Sequence, residues 1–153
     1  VVKSISKSYG VPGFRLGVLA SGNRELIARL KREVAIWNIN SFGEFYMQIY
    51  EKYHKDYVDA CHLFREERAR FYEELQEVPM LRVIPSQANY FLCELTTTKF
   101  TATELAVRLL AKHDILIKDC SGKASFRGRN FIRLAVRDRK DNHKLVEALK
   151  EFE

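Results

Sequence analysis

The chain has 153 residues, of which 46% are hydrophobic and 30% charged, a balance typical of a folded globular protein and not of a disordered one. Its 26 basic and 20 acidic residues are interspersed and leave a formal charge of +6, so no basic stripe indicates a nucleic-acid partner and no apolar run indicates a membrane span. The three cysteines are odd in number and lack paired spacing, so we expect neither disulfides nor a metal site, and a cytoplasmic location.

The first predicted elements are two short strands and one helix. Residues 1–5 and 15–21 are apolar runs on either side of a glycine-rich turn, which is typical of strands joined by a loop. Asn23 stands at the N-cap position of a helix that reaches about Val34. Two strands and one helix cannot bury their own apolar faces, so we expect them to complete a sheet supplied by other sequence or by a partner.

A long helix is predicted next. Ser41 and Glu44 stand at capping-box spacing, and apolar and aromatic residues continue at steps of three and four toward Gln76. We expect this stripe to face a core or an interface. Its members are Phe42, Phe45, Ile49, Tyr53 and Tyr57.

The remaining residues predict a β-β-α-β-β-α order and hence an α/β fold. The strand-like runs are "MLRVI", "NYFLCEL", "ILIKDC" and "NFIRLAV". Thr101 and Glu104 form a capping box for a helix through about Lys112, and Asp138 caps the last helix. Three leucines of the first of these helices are predicted to be buried: Leu105, Leu109 and Leu110.

The stretch "KSISKSYGVPGFRLG" carries the candidate chemistry. Lys7 follows a predicted strand, so its amine can project into a cleft and form a Schiff base with an aldehyde. Ser4 and Ser6 share one face of an extended chain and offer hydroxyls to a phosphate, and Arg15 offers a bidentate guanidinium. These parts suit pyridoxal 5'-phosphate (PLP), an aldehyde that carries a phosphate. On residue types alone, a surface lysine before a glycine loop is an equally good interpretation.

The same stretch resembles a family signature. "SISKSYGVPGFRLG" is similar to the Ser-x-x-Lys-x-x-Gly-x-x-Gly-x-Arg-x-Gly signature of fold-type I PLP enzymes, the aspartate-aminotransferase superfamily. Four further segments resemble, in order and spacing, the C-terminal half of histidinol-phosphate aminotransferases and threonine-phosphate decarboxylases. These are "WNIN", "SQANYFL", "ILIKDCS" and "NFIRLAVRDRKDN", and the resemblance covers essentially the whole chain.

The resemblance implies a role for each matching residue. Lys7 would be the catalytic lysine that binds the cofactor aldehyde and moves the proton at the substrate's Cα. Ser4 and Arg15 would hold the cofactor phosphate, with Ser6 as a helper. Arg133, in "FIRLAV", would bind the substrate's α-carboxylate, for which a guanidinium is well suited.

Other polar residues are weaker candidates. The segment around Asn40 is expected to line the substrate cleft. Arg127 and Arg137 are candidates for binding a substrate phosphate, with solvent-facing roles as the expected alternative.

The resemblance also implies the domain organisation and the reaction. Residues 1–38 would be the end of the PLP-binding large domain, and residues 39–153 the small C-terminal α/β domain. We expect an aminotransferase acting on an amino acid or amino-acid phosphate, homodimeric when intact. The family's N-terminal half is missing from this chain, so we expect the chain alone to be inactive. A decarboxylase of the threonine-phosphate type, or a non-catalytic interaction domain, remain alternatives.

Overall fold

The computed structural model describes residues 1–126 and 128–152. They form two compact units, Val1–Cys61 and His62–Glu153. Within the described ranges, no helix combines the length and the apolar character needed to cross a bilayer. The family-based domain boundary after residue 38 stays a prediction.

The first unit begins with an antiparallel hairpin. Strand β1 (Val2–Ser4) pairs with β2 (Gly17–Leu19). The connection between them contains a single-turn helix, α1 (Ile5–Ser8), and a 3-10 turn at Pro12–Phe14. Both predicted strands are confirmed, and both are shorter than predicted. The first ends at Ser4 because α1 begins directly after it.

Helix α2 (Arg24–Glu33) follows the hairpin and has the predicted N-cap. The Oδ1 atom of Asn23 accepts a hydrogen bond from the Leu26 backbone nitrogen at 2.9 Å. No residue of α2 is buried within the first unit, so its apolar side stays uncovered there.

The long helix predicted after residue 40 is interrupted. Helix α3 (Ser41–Ile49) is followed by a 3-10 turn at Tyr50–Tyr53 and then by α4 (His54–Gln76), which continues into the second unit. The capping box predicted from Ser41 was wrong. Asn40 is the N-cap, because its extended backbone (φ −78°, ψ 159°) places its side chain against the Gly43 nitrogen.

The aromatic stripe on α3 is largely uncovered within the first unit. Phe42 is 75% exposed and Phe45 is 59% exposed, so neither side chain belongs to a core within the first unit, and the expectation that the stripe faces an interface stays a prediction. Periodicity identified an apolar face, but it did not identify what covers that face.

The second unit is built on a four-stranded antiparallel sheet with the order β3-β4-β6-β5. Its strands are β3 (Leu81–Ile84), β4 (Tyr90–Leu95), β5 (Lys118–Asp119) and β6 (Phe131–Ala135). All four predicted strands are confirmed. The "ILIKDC" run was predicted too long, because only its two-residue β5 segment pairs with β6.

Helices α5 (Ala102–His113) and α6 (Arg139–Lys150) form the core with the sheet and the second half of α4. Both predicted caps are confirmed, the capping box of α5 and Asp138 at the start of α6. Leu110 is 48% exposed, so the prediction that it is buried was wrong. The central core residues are Phe71, Leu75, Phe91, Cys93, Leu105, Leu109, Ile132, Leu134 and Leu149.

Candidate active site

The hairpin brings the motif residues to one end of a β ladder. Ser4 is the last paired residue of β1 and lies opposite Gly17. One step further, the Ile5 backbone nitrogen donates to the Leu16 carbonyl at 3.1 Å. The connection that carries Lys7 and Arg15 therefore begins and ends at the same end of the β1–β2 ladder. These two residues are eight positions apart in the sequence.

Helix α1 sets the exposure of the two serines and the lysine. Ser4 and Lys7 are exposed, whereas Ser6 is only 6% exposed. The expectation that Ser4 and Ser6 share a face of an extended chain was wrong, because Ser6 lies in α1, where alternation by two does not hold. The Ser4 hydroxyl does not cap α1, since the N-cap has no side-chain hydrogen bond.

Arg15 adopts a backbone conformation that is uncommon for a residue with a side chain. Its φ of 53° and ψ of 37° place it in the left-handed region. Its side chain is exposed, and within residues 1–126 and 128–152 neither Arg15 nor Lys7 forms an ion pair. A primary amine, a hydroxyl and a guanidinium free to take an anion fit the aldehyde and the phosphate of PLP.

Asn40 contacts this connection through its side chain. Its Nδ2 donates to the Phe14 carbonyl at 2.9 Å, while its Oδ1 accepts from the Gly43 nitrogen at 2.9 Å. The structure therefore places Asn40 beside the residue that precedes Arg15. That Asn40 contacts a substrate stays a prediction.

An aromatic cluster packs behind α1. The Tyr9 ring lies 5.2 Å from the Tyr50 ring and 4.5 Å from the Tyr57 ring, centroid to centroid. The Tyr57 hydroxyl donates to the Ser8 carbonyl at 2.9 Å, which ties the end of α1 to α4. A side-chain hydrogen bond with Tyr9, together with burial, raises the pKa of Tyr50 to about 12.

Arg133 lies in β6 of the second unit, between the buried residues Ile132 and Leu134. It is exposed, and its guanidinium lies 5.1 Å from the centre of the Tyr90 ring. In the ladder it stands between Leu92 of β4 and Lys118 of β5. Arg133 and Lys118 both line an open cavity of about 790 Å³, whose lining also includes three aspartates.

The same cavity includes the start of α6. Arg137 lines it and pairs with Asp141 at 2.6 Å, and this hydrogen bond raises the pKa of Arg137. Arg137 is thus already paired with a carboxylate. Arg127 lies outside the described residues. Sequence reasoning missed Lys118, and the signal that identifies it is its position opposite Arg133 in the ladder.

Ser4, Lys7 and Arg15 thus lie at or just beyond one end of the β1–β2 ladder, and Asn40 is bonded to Phe14, the residue before Arg15. Arg133 belongs to the second unit.

Comparison with known proteins gives a consistent result. The family model described as aminotransferase class I and II matches residues 1–149. The CMP-5'-(3-aminopropyl)phosphonate synthase of Streptomyces rubellomurinus is 38% identical over 99% of this chain and 24% of its own length. The threonine-phosphate decarboxylase of Salmonella typhimurium is 32% identical over 98% of this chain and 40% of its own length.

A solved structure matches over nearly the whole chain. It is that of the histidinol-phosphate aminotransferase from Clostridium acetobutylicum, with a TM-score of 0.84 and 33% identity. The match covers 99% of this chain and 44% of that one, so the chain spans less than half the length of each of these relatives.

Proposed function

Because the chain belongs to the aminotransferase class I and II family, whose members are PLP-dependent, we propose that it supplies the lysine and phosphate-binding side of a PLP enzyme. The fold is that of fold-type I PLP enzymes, as the sequence resemblance predicted. One observation carries the proposal. Ser4 ends the β1–β2 ladder, Lys7 and Arg15 lie in the connection that leaves and returns there, and these two cations have no ion-pair partner in the described residues.

In this proposal, four residues of the first unit have a defined task. Lys7 Nζ holds the cofactor's aldehyde carbon and moves the proton at the substrate's Cα. The Ser4 hydroxyl and the Arg15 guanidinium bind the phosphate, and Ser6 supports them from its buried position in α1. When bound, the cofactor's ring accepts electron density from Cα, which makes the bonds at that carbon easier to break.

Arg133 is proposed to bind the substrate's α-carboxylate. Its exposed guanidinium is held over the Tyr90 ring, which limits its orientations and favours a defined carboxylate geometry. Lys118, directly opposite, adds a second positive charge and suits a substrate that carries a second anion, such as an amino-acid phosphate.

The reaction we propose is transamination of an amino acid or an amino-acid phosphate. The similarity to a threonine-phosphate decarboxylase supports decarboxylation as the second candidate. Both reactions use the same Lys7 amine and differ in which bond at Cα is broken. Release of carbon dioxide supports the decarboxylase, and formation of a keto acid supports the aminotransferase.

The experiment that tests the proposal is covalent trapping at Lys7. The protein as its gene encodes it is mixed with PLP, reduced with borohydride, digested and analysed by mass spectrometry. We expect a phosphopyridoxyl group on Lys7. The Lys7→Ala variant should carry no phosphopyridoxyl group, and its turnover should fall by at least about 100-fold. The control is Lys3→Ala, which removes an exposed lysine of β1 and should leave both the labelling of Lys7 and the turnover unchanged. Modification of Lys3 in place of Lys7 would refute the proposal.

The assembly is proposed on the family resemblance. We propose a cytoplasmic homodimer that binds a small-molecule substrate and neither nucleic acid nor membrane, with residues 1–38 in the large domain. The chain alone is proposed to be inactive. A monomer in light scattering of the protein as its gene encodes it would contradict the dimer.

A further inference from the structure

The first turn of α3 holds the residue on the N-terminal side of Arg15. Asn40 Nδ2 donates to the Phe14 carbonyl at 2.9 Å. The other end of the same amide is fixed, because Asn40 Oδ1 accepts from the Gly43 nitrogen at 2.9 Å. The Phe14 ring also packs on Tyr46 of α3, with 5.2 Å between ring centroids. Phe14 is therefore anchored to α3 through both its backbone and its side chain.

The same turn holds the residue on the C-terminal side of Arg15. Leu16 is 7% exposed, and its Cδ2 lies 3.0 Å from the position that a Cβ would take on Gly43. Only a glycine at position 43 lets α3 approach this closely without displacing Leu16. The Leu16 carbonyl in turn accepts from the Ile5 nitrogen at 3.1 Å, which links it to the start of α1.

Arg15 itself is held by neither of these contacts. Its backbone has a φ of 53°, which is unfavourable for a side-chain-bearing residue and persists only where the neighbouring residues impose it. Here both neighbours are fixed on α3, while the Arg15 side chain is exposed. The Nδ2 atom of Asn40 thus holds the segment that presents Arg15, while its Oδ1 caps α3.

We infer that Asn40 is a positioning residue that holds Arg15 in its left-handed conformation, so that the guanidinium is directed to the phosphate of the cofactor. This inference rests on the proposed function, in which Arg15 binds that phosphate. A guanidinium that is already oriented loses less conformational freedom on binding. Asn40 therefore contributes to affinity for the phosphate without contacting it.

The test compares two asparagines with the same local role. Asn40→Ser keeps a neutral N-cap but removes the donor to Phe14. Asn23→Ser is the matched control, because Asn23 also caps a helix through an Oδ1 hydrogen bond of 2.9 Å. In the described residues, the side-chain nitrogen Nδ2 of Asn23 donates to no partner, although its backbone nitrogen donates to Ser21 Oγ. Both variants are made in the protein as its gene encodes it.

Affinity is measured for PLP and for pyridoxal, which has the same ring and aldehyde but no phosphate. We expect Asn40→Ser to weaken PLP binding about 3- to 10-fold, the equivalent of one hydrogen bond, and to change pyridoxal binding less than about twofold. Asn23→Ser should change neither affinity. In an Arg15→Ala background, Asn40→Ser should add no further loss of PLP affinity.

Hydrogen exchange gives a readout that does not depend on the cofactor. Amides of residues 14–16 should exchange faster in Asn40→Ser than in wild type or Asn23→Ser. Unchanged PLP affinity in Asn40→Ser, an equal loss for pyridoxal, or unchanged exchange would each overturn the positioning role. Failure of the wild-type protein to bind PLP would instead overturn the proposed function.

Discussion

Replacing Asn142 by alanine removes a buried polar connection in the second unit. Asn142 is 2% exposed. Its Oδ1 accepts from the Arg137 nitrogen at 2.9 Å, and its Nδ2 donates to Glu67 Oε1 at 2.8 Å and to the Arg137 carbonyl at 3.0 Å. Three hydrogen bonds at about 1 kcal/mol each predict a loss of about 3 kcal/mol in the free energy of unfolding. The connection between β6 and α6 is the region most affected, because Arg137 lies within it.

Urea denaturation followed by circular dichroism measures this loss. The midpoint should fall in Asn142→Ala while the slope of the transition is kept, since the surface exposed on unfolding changes little. Asn130→Ala is the matched control, because among the described residues the Asn130 side chain makes one hydrogen bond, accepting from the Ala102 nitrogen at 3.3 Å. It should cost about 1 kcal/mol or less. A loss for Asn142→Ala no larger than that for Asn130→Ala would refute the reasoning.

Two further predictions concern the same unit. Leu105→Ala should lower the free energy of unfolding by about 2–5 kcal/mol, because Leu105 is fully buried. Leu110→Ala is the control in the same assay, and it should cost less than about 1 kcal/mol because Leu110 is 48% exposed. Equal losses would contradict the assignment of the core. Arg129 and Arg82 donate to Glu94 and hold its pKa below the usual 4.5. The stability that ionised Glu94 contributes to the folded state is therefore present above pH 4.5 and is lost as the pH falls through the lowered pKa. The gap in urea midpoint between wild type and Glu94→Gln should close in acid, and a gap independent of pH would contradict this.

The helix starts show which local features were predictable. Asn23, Thr101 and Asp138 were predicted as caps and are confirmed, because each bonds to a backbone nitrogen within its own first turn. At the start of α3, two neighbouring residues, Asn40 and Ser41, are both good N-caps. What distinguishes them is the side chain of Asn40, which accepts from the Gly43 nitrogen and also donates to the Phe14 carbonyl, a partner distant in sequence.

Burial was less predictable than periodicity. Leu105 and Leu110 both follow the helical repeat of α5, yet only Leu105 is buried. How much of an apolar stripe becomes buried depends on which elements pack against the helix. The uncovered Phe42 of α3 has the same explanation within the first unit.

The sequence by itself determined the order of elements in the second unit, the resemblance to a family, and the spacing from Ser4 through Lys7 to Arg15. These depend on residues close together along the chain and on a motif that is read directly. Only the tertiary structure decided that Ser4 lies opposite Gly17, that Arg15 is left-handed between two anchored neighbours, and that Lys118 stands opposite Arg133. Strand register and the bracing of a loop depend on contacts between distant segments, and no local propensity specifies them.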